Sequence, residues 1–229
     1  MSITVYWACF DKEWLRAKEP ENIIKKVLKE DKYKEVGLNM CPGFRNYFNN
    51  TYSIQSLYDY EFYIKDGDVF SDFYDQTFFN DHVVTRSIEN KCFSFTNKWI
   101  FFTENDSLEM SISGPTLEDS NIAKDSIYIP GTFDIGKWFR SIDIAFFLRE
   151  NINKIKIKED DSLGYIKFNT NQKIILKQFM MNETILNYLE STLNSKFNRN
   201  SRLRSFDEYY SIFKNKKRII KEIKKTLIN

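Results

Sequence analysis

The sequence predicts a mainly β fold: an antiparallel β-sandwich or barrel-like core with an N-terminal strand and helix and two C-terminal helices. Three observations carry this expectation. Between residues 55 and 180, short apolar runs recur at regular spacing with polar breaks between them, the pattern of a sandwich or barrel. Phe (21), Tyr (13) and Trp (4) are abundant, and Gly (7) and Pro (4) are scarce, which argues against long disordered linkers or a loop-dominated scaffold. From about residue 183 the apolar residues change to helical spacing.

Taken in order, "ITVYWACF" is rich in β-branched and aromatic residues and reads as a strand. "PENIIKKVLKE" reads as a helix, with Pro20 near its start and Ile23, Ile24, Val27 and Leu28 on one face. "LYDYEFYIKDGDVFSDFY" alternates and is broken at Asp66-Gly67, a hairpin signal. "CFSFTNKWIFFTENDSLEMSIS" reads as apolar runs separated by a Thr-Asn break and an Asn-Asp break. "SIDIAFFL", "KIKIK", "LGYIKF" and "KIILKQF" are four further strands, with "EDDS" and "NTNQ" as turns. "NETILNYLESTLNSKF" is a helix capped by Asn182. "SFDEYYSIFKNKKRIIKEIKKTLIN" carries Phe206, Tyr209, Tyr210, Phe213, Ile220, Ile223 and Leu227 on one stripe, an amphipathic helix. Residues 1–180 therefore form a β-rich core domain, and residues 181–229 a helical extension packed on it.

Several chemistries are excluded or made improbable by the residue inventory. The net charge is +2, so no global field for nucleic acid or membrane follows. The cysteines Cys9, Cys41 and Cys92 are odd in number and far apart, a poor disulfide framework with no metal-ligand spacing. No run is apolar enough to span a membrane, and the N-terminus lacks a signal-peptide pattern. A reducing, cytoplasmic setting is expected, with no cofactor and no bound metal. His82 is the single histidine. A multi-histidine metal centre is thereby impossible, and His82 itself reads as a loop residue after "FFND" rather than as a partner for Asp81 or for a Cys41 or Cys92 thiol.

Gly131, four residues, then Gly136-Lys137 resemble a phosphate-binding loop. Trp138 stands where that loop needs Ser or Thr, Phe133 and Ile135 are bulky, and a strand follows rather than a helix. The stretch reads instead as an inter-strand turn whose Phe133, Ile135 and Trp138 pack under a sheet. Its functional candidates are Trp138 and Arg140, since an arginine on an aromatic face can stack or clamp an anion. Arg45 and Asn46 lie among Phe44, Tyr47 and Phe48 after a Cys41-Pro42-Gly43 turn and could bind a base or anionic ligand. Arg45, Trp138 and Arg140 are expected to share one binding surface at the ends of the sheets. Asp75, Glu89 and Lys91 follow the general order of a metal-dependent nuclease core, with Asn90 where an apolar residue is usual. The basic run Lys214, Lys217, Arg218, Lys221, Lys224 and Lys225 allows contact with nucleic acid or an acidic partner.

The pairing of "CPGFRNYFNNTYSIQSLYDYEF" with "SISGPTLED…YIPGTFDIGKWFRSI" resembles uncharacterised proteins of tailed bacteriophages, notably marine ones, and is distantly similar to a bacterial domain of unknown function. The likeness covers roughly residues 39 to 180 and excludes the helical tail. It implies a viral accessory protein acting in an infected bacterial cell and transfers no catalytic residue. The expected function is non-enzymatic binding of a host macromolecule or small ligand. The alternatives are a metal-dependent nuclease or phosphohydrolase using Asp75, Glu89 and Lys91, and a minor virion structural protein, which the composition disfavours.

Overall fold

The computed structural model describes residues 2–11, 15, 17–30, 33, 35–65, 68–72, 74–197 and 214–228. Their fold is mainly β, with strands in three sheets. The first sheet has the order β14-β1-β7-β11-β9, with β6 also pairing β7. Its members are β14 (Lys173–Gln178), β1 (Ser2–Cys9), β7 (Cys92–Thr103), β11 (Ser141–Leu148), β9 (Ser126–Ile129) and β6 (Val83–Ser87). The second sheet, β10-β8-β13-β3-β2, comprises β10 (Gly131–Asp134), β8 (Glu109–Ser113), β13 (Ser162–Phe168), β3 (Thr51–Gln55) and β2 (Glu21–Asn22). A small third sheet joins β12 (Lys154–Ile157), β4 (Tyr60–Lys65) and β5 (Asp68–Phe70). None of these strand orders closes on itself, so among the described residues the core is sandwich-like rather than a barrel.

The two large sheets face each other across one core. Ile3, Val5, Trp7 and Cys9 of β1 and Phe93, Phe95, Trp99 and Phe101 of β7 point into it, meeting Met110, Ile112, Ile54, Ile166 and Phe168 from the second sheet. Phe62, Ile155 and Ile157 of the small sheet enter the same cluster. This is where the high phenylalanine content goes: flat rings fill a broad inter-sheet layer with few rotamers to fix. The alternate residues of β1 and β7, Tyr6, Ala8, Ile100 and Phe102, face outward and are covered by helices α5 (Glu183–Phe197) and α6 (Lys216–Lys225) through Ile185, Leu189, Ile219, Ile220 and Ile223. A strand covered on both faces must be apolar at nearly every position, which explains the unbroken "ITVYWACF".

The outer face of the second sheet carries a third cluster. There Tyr165 meets Ile23 and Val27 of α1 (Ile23–Lys29) and Phe48, which follows α2 (Pro42–Tyr47). Two further short helices, α3 (Gln76–His82) and α4 (Asn121–Asp125), precede β6 and β9. Asn182 caps α5 by accepting from Ile185 N at 2.9 Å. α6 begins only at Lys216, and the predicted stripe residues Phe206, Tyr209, Tyr210 and Phe213 lie outside the described residues.

Several sequence expectations require correction. Thr96-Asn97 does not break the chain, because β7 runs through it. The register between β11 and β7 shifts between Ser141 and Asp143, and this irregularity accommodates the polar pair. Pairing is mostly antiparallel, but β1 and β14 run parallel from Ser2↔Lys173 to Trp7↔Gln178. Cys41-Pro42-Gly43 starts helix α2: the Cys41 Sγ accepts from Phe44 N at 3.4 Å and Pro42 takes the first helical position. The stretch around Pro130-Gly131 is built of strands β9 and β10, and the turn comes later, at residues 135–137. β4 and β5 do pair antiparallel, from Tyr63↔Phe70 to Lys65↔Asp68, while Asp66 and Gly67 between them lie outside the described residues.

Candidate functional site

The surface of α6 is divided by its packing. Ile219, Ile220 and Ile223 are buried against the first sheet, so the opposite face must look outward. Lys217, Arg218 and Lys221 occupy that face and are exposed, as is Lys214 just before the helix. Neighbouring cations are consumed. Lys216 donates to Asp106 at 2.6 Å and to Asn105 O at 3.0 Å, Lys224 pairs with Glu104 at 2.8 Å, and Lys225 with Glu222 at 2.7 Å. Two of these carboxylates are held ionised: the Lys224 ammonium and then the Tyr6 hydroxyl lower the pKa of Glu104, and Lys216 lowers that of Asp106. Of the six predicted basic residues, Lys224 and Lys225 are therefore ion-paired, and Lys214, Lys217, Arg218 and Lys221 make no ion pair among the described residues.

Helix electrostatics do not account for this arrangement. Cations favour the C-terminal end of a helix and oppose the dipole at its N-terminal end, by up to about 1 kcal/mol each. Lys216, Lys217 and Arg218 are the first three residues of α6, and no acid lies in that turn.

The structure brings Trp138 and Arg140 together. The Arg140 guanidinium lies 4.7 Å from the Trp138 ring centroid, and Trp138 stacks on Phe133 at 5.0 Å. Arg140 is only 5% exposed, a correction to its expected role as a surface clamp: Phe139 beside it is drawn fully into the helix-covered cluster, which takes the arginine inward. Arg45 and Asn46 are exposed on α2, whose neighbours Phe44 and Phe48 belong to the separate cluster on the outer face of the second sheet. The two halves of the expected surface thus sit on different elements and different clusters.

The glycine of the apparent phosphate loop has another purpose. Gly136 N donates to Asp134 Oδ1 at 2.8 Å, and Lys137 pairs with Asp134 at 3.1 Å. A Cβ on Gly136 would lie 2.0 Å from Asn105 O, a backbone atom that also accepts from Lys216. Gly136→Ala is therefore expected to cost about 1–3 kcal/mol by overpacking and to loosen the N-terminal end of α6, read as a lower urea midpoint and faster amide exchange there.

Two of the three nuclease candidates, Asp75 and Lys91, have hydrogen-bond partners that hold the fold. Asp75 caps α3 by accepting from Phe78 N at 2.8 Å. Glu89 is exposed in the turn between β6 and β7. The Lys91 ammonium donates to Glu150 O at 2.6 Å, Asn153 Oδ1 at 2.7 Å and Ile152 O at 3.1 Å, binding the β6–β7 turn to the chain after β11. Among the described residues no group of three or more His, Cys, Asp or Glu side chains is placed to hold a metal ion.

His82 is not in a loop. It ends α3 and is 7% exposed. Its Nδ1 lies 2.7 Å from Phe78 O and its Nε2 2.9 Å from Asp11 Oδ2. The other Asp11 oxygen accepts from the Tyr58 hydroxyl, and Lys98 Nζ stands 3.6 Å from Asp11 Oδ2. Asp11, Tyr58, His82 and Lys98, with Cys9 and Tyr60, line a cavity of about 20 Å³, room for roughly one water molecule. Phe78 O can only accept, so Nδ1 must donate, and Nε2 is committed to Asp11. A catalytic histidine needs a free ring nitrogen to take a proton from a nucleophile, and none remains here. Burial first, then the Asp11 charge, raises Cys9, whose thiol is pushed up to about 12 despite an opposing backbone hydrogen bond. It is protonated at neutral pH and inert as a nucleophile. Burial likewise raises the Tyr60 phenol, with the Asp11 carboxylate adding to the effect. Asp11, Tyr58 and Lys98 have no local signal in the sequence, being joined to His82 only by the fold.

No family profile matches the chain, and no curated protein matches it in sequence. Among the described residues no helix is long and apolar enough to cross a membrane.

Proposed function

We propose that this protein is a non-enzymatic accessory protein that binds nucleic acid through the outward face of α6, acting in an infected bacterial cell as the resemblance of residues 39–180 to tailed-phage proteins implies. The observation that carries the reading is the set Lys217, Arg218 and Lys221: exposed, without ion pairs among the described residues, and, for Lys217 and Arg218, placed in the first turn where the helix dipole opposes them. Lys217 and Lys221 are one helical turn apart, about 6 Å along the axis. Duplex DNA offers one negative charge per about 1.7 Å of axis, so all three cations can meet phosphates at once. Such contacts position a backbone and carry no base information, so binding should be insensitive to sequence. The engaged ring nitrogens of His82 and the protonated Cys9 thiol support a role without covalent chemistry.

The test is fluorescence anisotropy with a labelled duplex over a range of salt. Three phosphate contacts give a slope of log K against log salt of about −2.7 from these residues. In K217E/R218E/K221E the slope should become shallower by about two to three and affinity at 0.1 M salt should fall at least about tenfold, with an unchanged melting temperature. Equal affinity and slope in the variant would refute the proposal, as would preferential binding of an acidic peptide.

A further inference from the structure

A second site lies away from α6, at the open side of the sandwich. β14 is one edge of the first sheet and β2, beside β3, is one edge of the second. Between them runs a cleft of about 610 Å³, within the range of small-molecule sites. Its lining has a definite polarity. Ile174 and Leu176 of β14 form an apolar floor continuous with the main core. Four lysines, Lys18, Lys25, Lys29 and Lys173, stand around it against two glutamates, Glu19 and Glu21. Lys18 is engaged by Asp160, and Lys29 lies 3.7 Å from Glu21. Lys25 of α1 and Lys173 of β14 both line the cleft, are exposed and make no ion pair among the described residues.

The walls are fixed by hydrogen bonds that do not use these ammonium groups. Asn22 caps α1, its Oδ1 accepting from Lys25 N at 3.1 Å. Asn50 adopts a left-handed backbone (φ 52°) and donates from Nδ2 to Thr170 O at 2.7 Å and Gln172 O at 2.9 Å, setting the turn that delivers Lys173. The site is thus a preformed cleft with an apolar base, amide side chains and two uncommitted cations. Its charge is supplied by lysine rather than arginine. Planar, bidentate recognition of a carboxylate favours arginine, whereas lysine serves as a point charge for phosphate.

We propose that this cleft binds a phosphorylated small molecule of nucleotide size, its phosphate between Lys25 and Lys173 and its body over Ile174 and Leu176. The test is calorimetric titration of the full chain with nucleoside monophosphates, sugar phosphates, inorganic phosphate and citrate. A phosphate ester should bind more tightly than inorganic phosphate, because only the ester covers the apolar floor, and more tightly than citrate. K25A/K173A should weaken it at least about tenfold, with the melting temperature unchanged. K217E/R218E/K221E should bind it as wild type does, which separates this site from the nucleic-acid face. Failure of every phosphate compound to bind, equal binding of citrate, undiminished binding by K25A/K173A, or loss in the α6 variant would each overturn the proposal.

Discussion

Asp11→Ala is expected to lower the unfolding free energy by about 3–5 kcal/mol, the usual consequence of removing one partner from a buried ion pair. The Asp11 side chain is 4% exposed and that of His82 is 9% exposed. His82 Nε2 contacts the carboxylate at 2.9 Å, the Tyr58 hydroxyl donates to it, and the Lys98 ammonium stands 3.6 Å away. Truncation to alanine removes that carboxylate from a cavity that admits roughly one water molecule, which can replace only part of the loss. Asp11→Asn retains one accepting oxygen while discarding the charge, so its effect should fall between wild type and alanine. His82→Phe keeps the ring among Tyr58, Tyr60 and Phe78 but removes both hydrogen bonds. If the pair acts as a unit, the double variant should lose less than the sum of the single ones, by about 0.5–3 kcal/mol. Urea unfolding with a constant m value gives all four numbers. An Asp11→Ala protein within 1 kcal/mol of wild type would show that the network contributes little.

The sequence makes the strands visible because side-chain alternation is local, but sheet membership is not local. β11, β12, β13 and β14 are consecutive in the chain, yet they enter the first, third, second and first sheets in turn. Each was legible as an apolar run bounded by turn residues, and nothing within any of them specifies its partners. The parallel pairing of β1 with β14 joins opposite ends of the chain and is equally silent. The basic face of α6 could be read directly, since helical periodicity places Lys217, Arg218 and Lys221 opposite the isoleucines. What could not be read was which lysines are neutralised, because Glu104 and Asp106 come from the turn between β7 and β8. The same reason hides the partners of His82: Asp11 is 71 residues away. The turn glycine pattern misled for a related reason. Gly136 is small so that a distant backbone, Asn105, can approach it, and a one-dimensional motif cannot distinguish an approaching peptide from an approaching phosphate.

Phe62→Ala is expected to cost about 3–5 kcal/mol, at the upper end for a buried aromatic side chain. Among the described residues the small sheet shares no strand pairing with the other two, so apolar contact must do much of the work of attaching it. Phe62 is fully buried at that junction, with ring centroids 5.5 Å from Phe79 of α3, 5.7 Å from Phe93 and 6.5 Å from Phe95 of β7. Neither β7 nor α3 can follow a shrinking side chain inward. β7 is held between β1 and β11, and α3 leads into β6 and is fastened through His82. The cavity should therefore stay open, which is the condition for a large penalty. Phe62→Leu fills most of that space and should cost substantially less. Phe79 lies three residues before His82 on α3, so the two sites share one helix face. Once the aromatic packing beneath α3 is lost, the helix can retreat from Asp11, and adding Asp11→Ala to Phe62→Ala should then cost less than it does in the wild-type background. Strict additivity of the two changes in urea unfolding would show that α3 is held at each end independently.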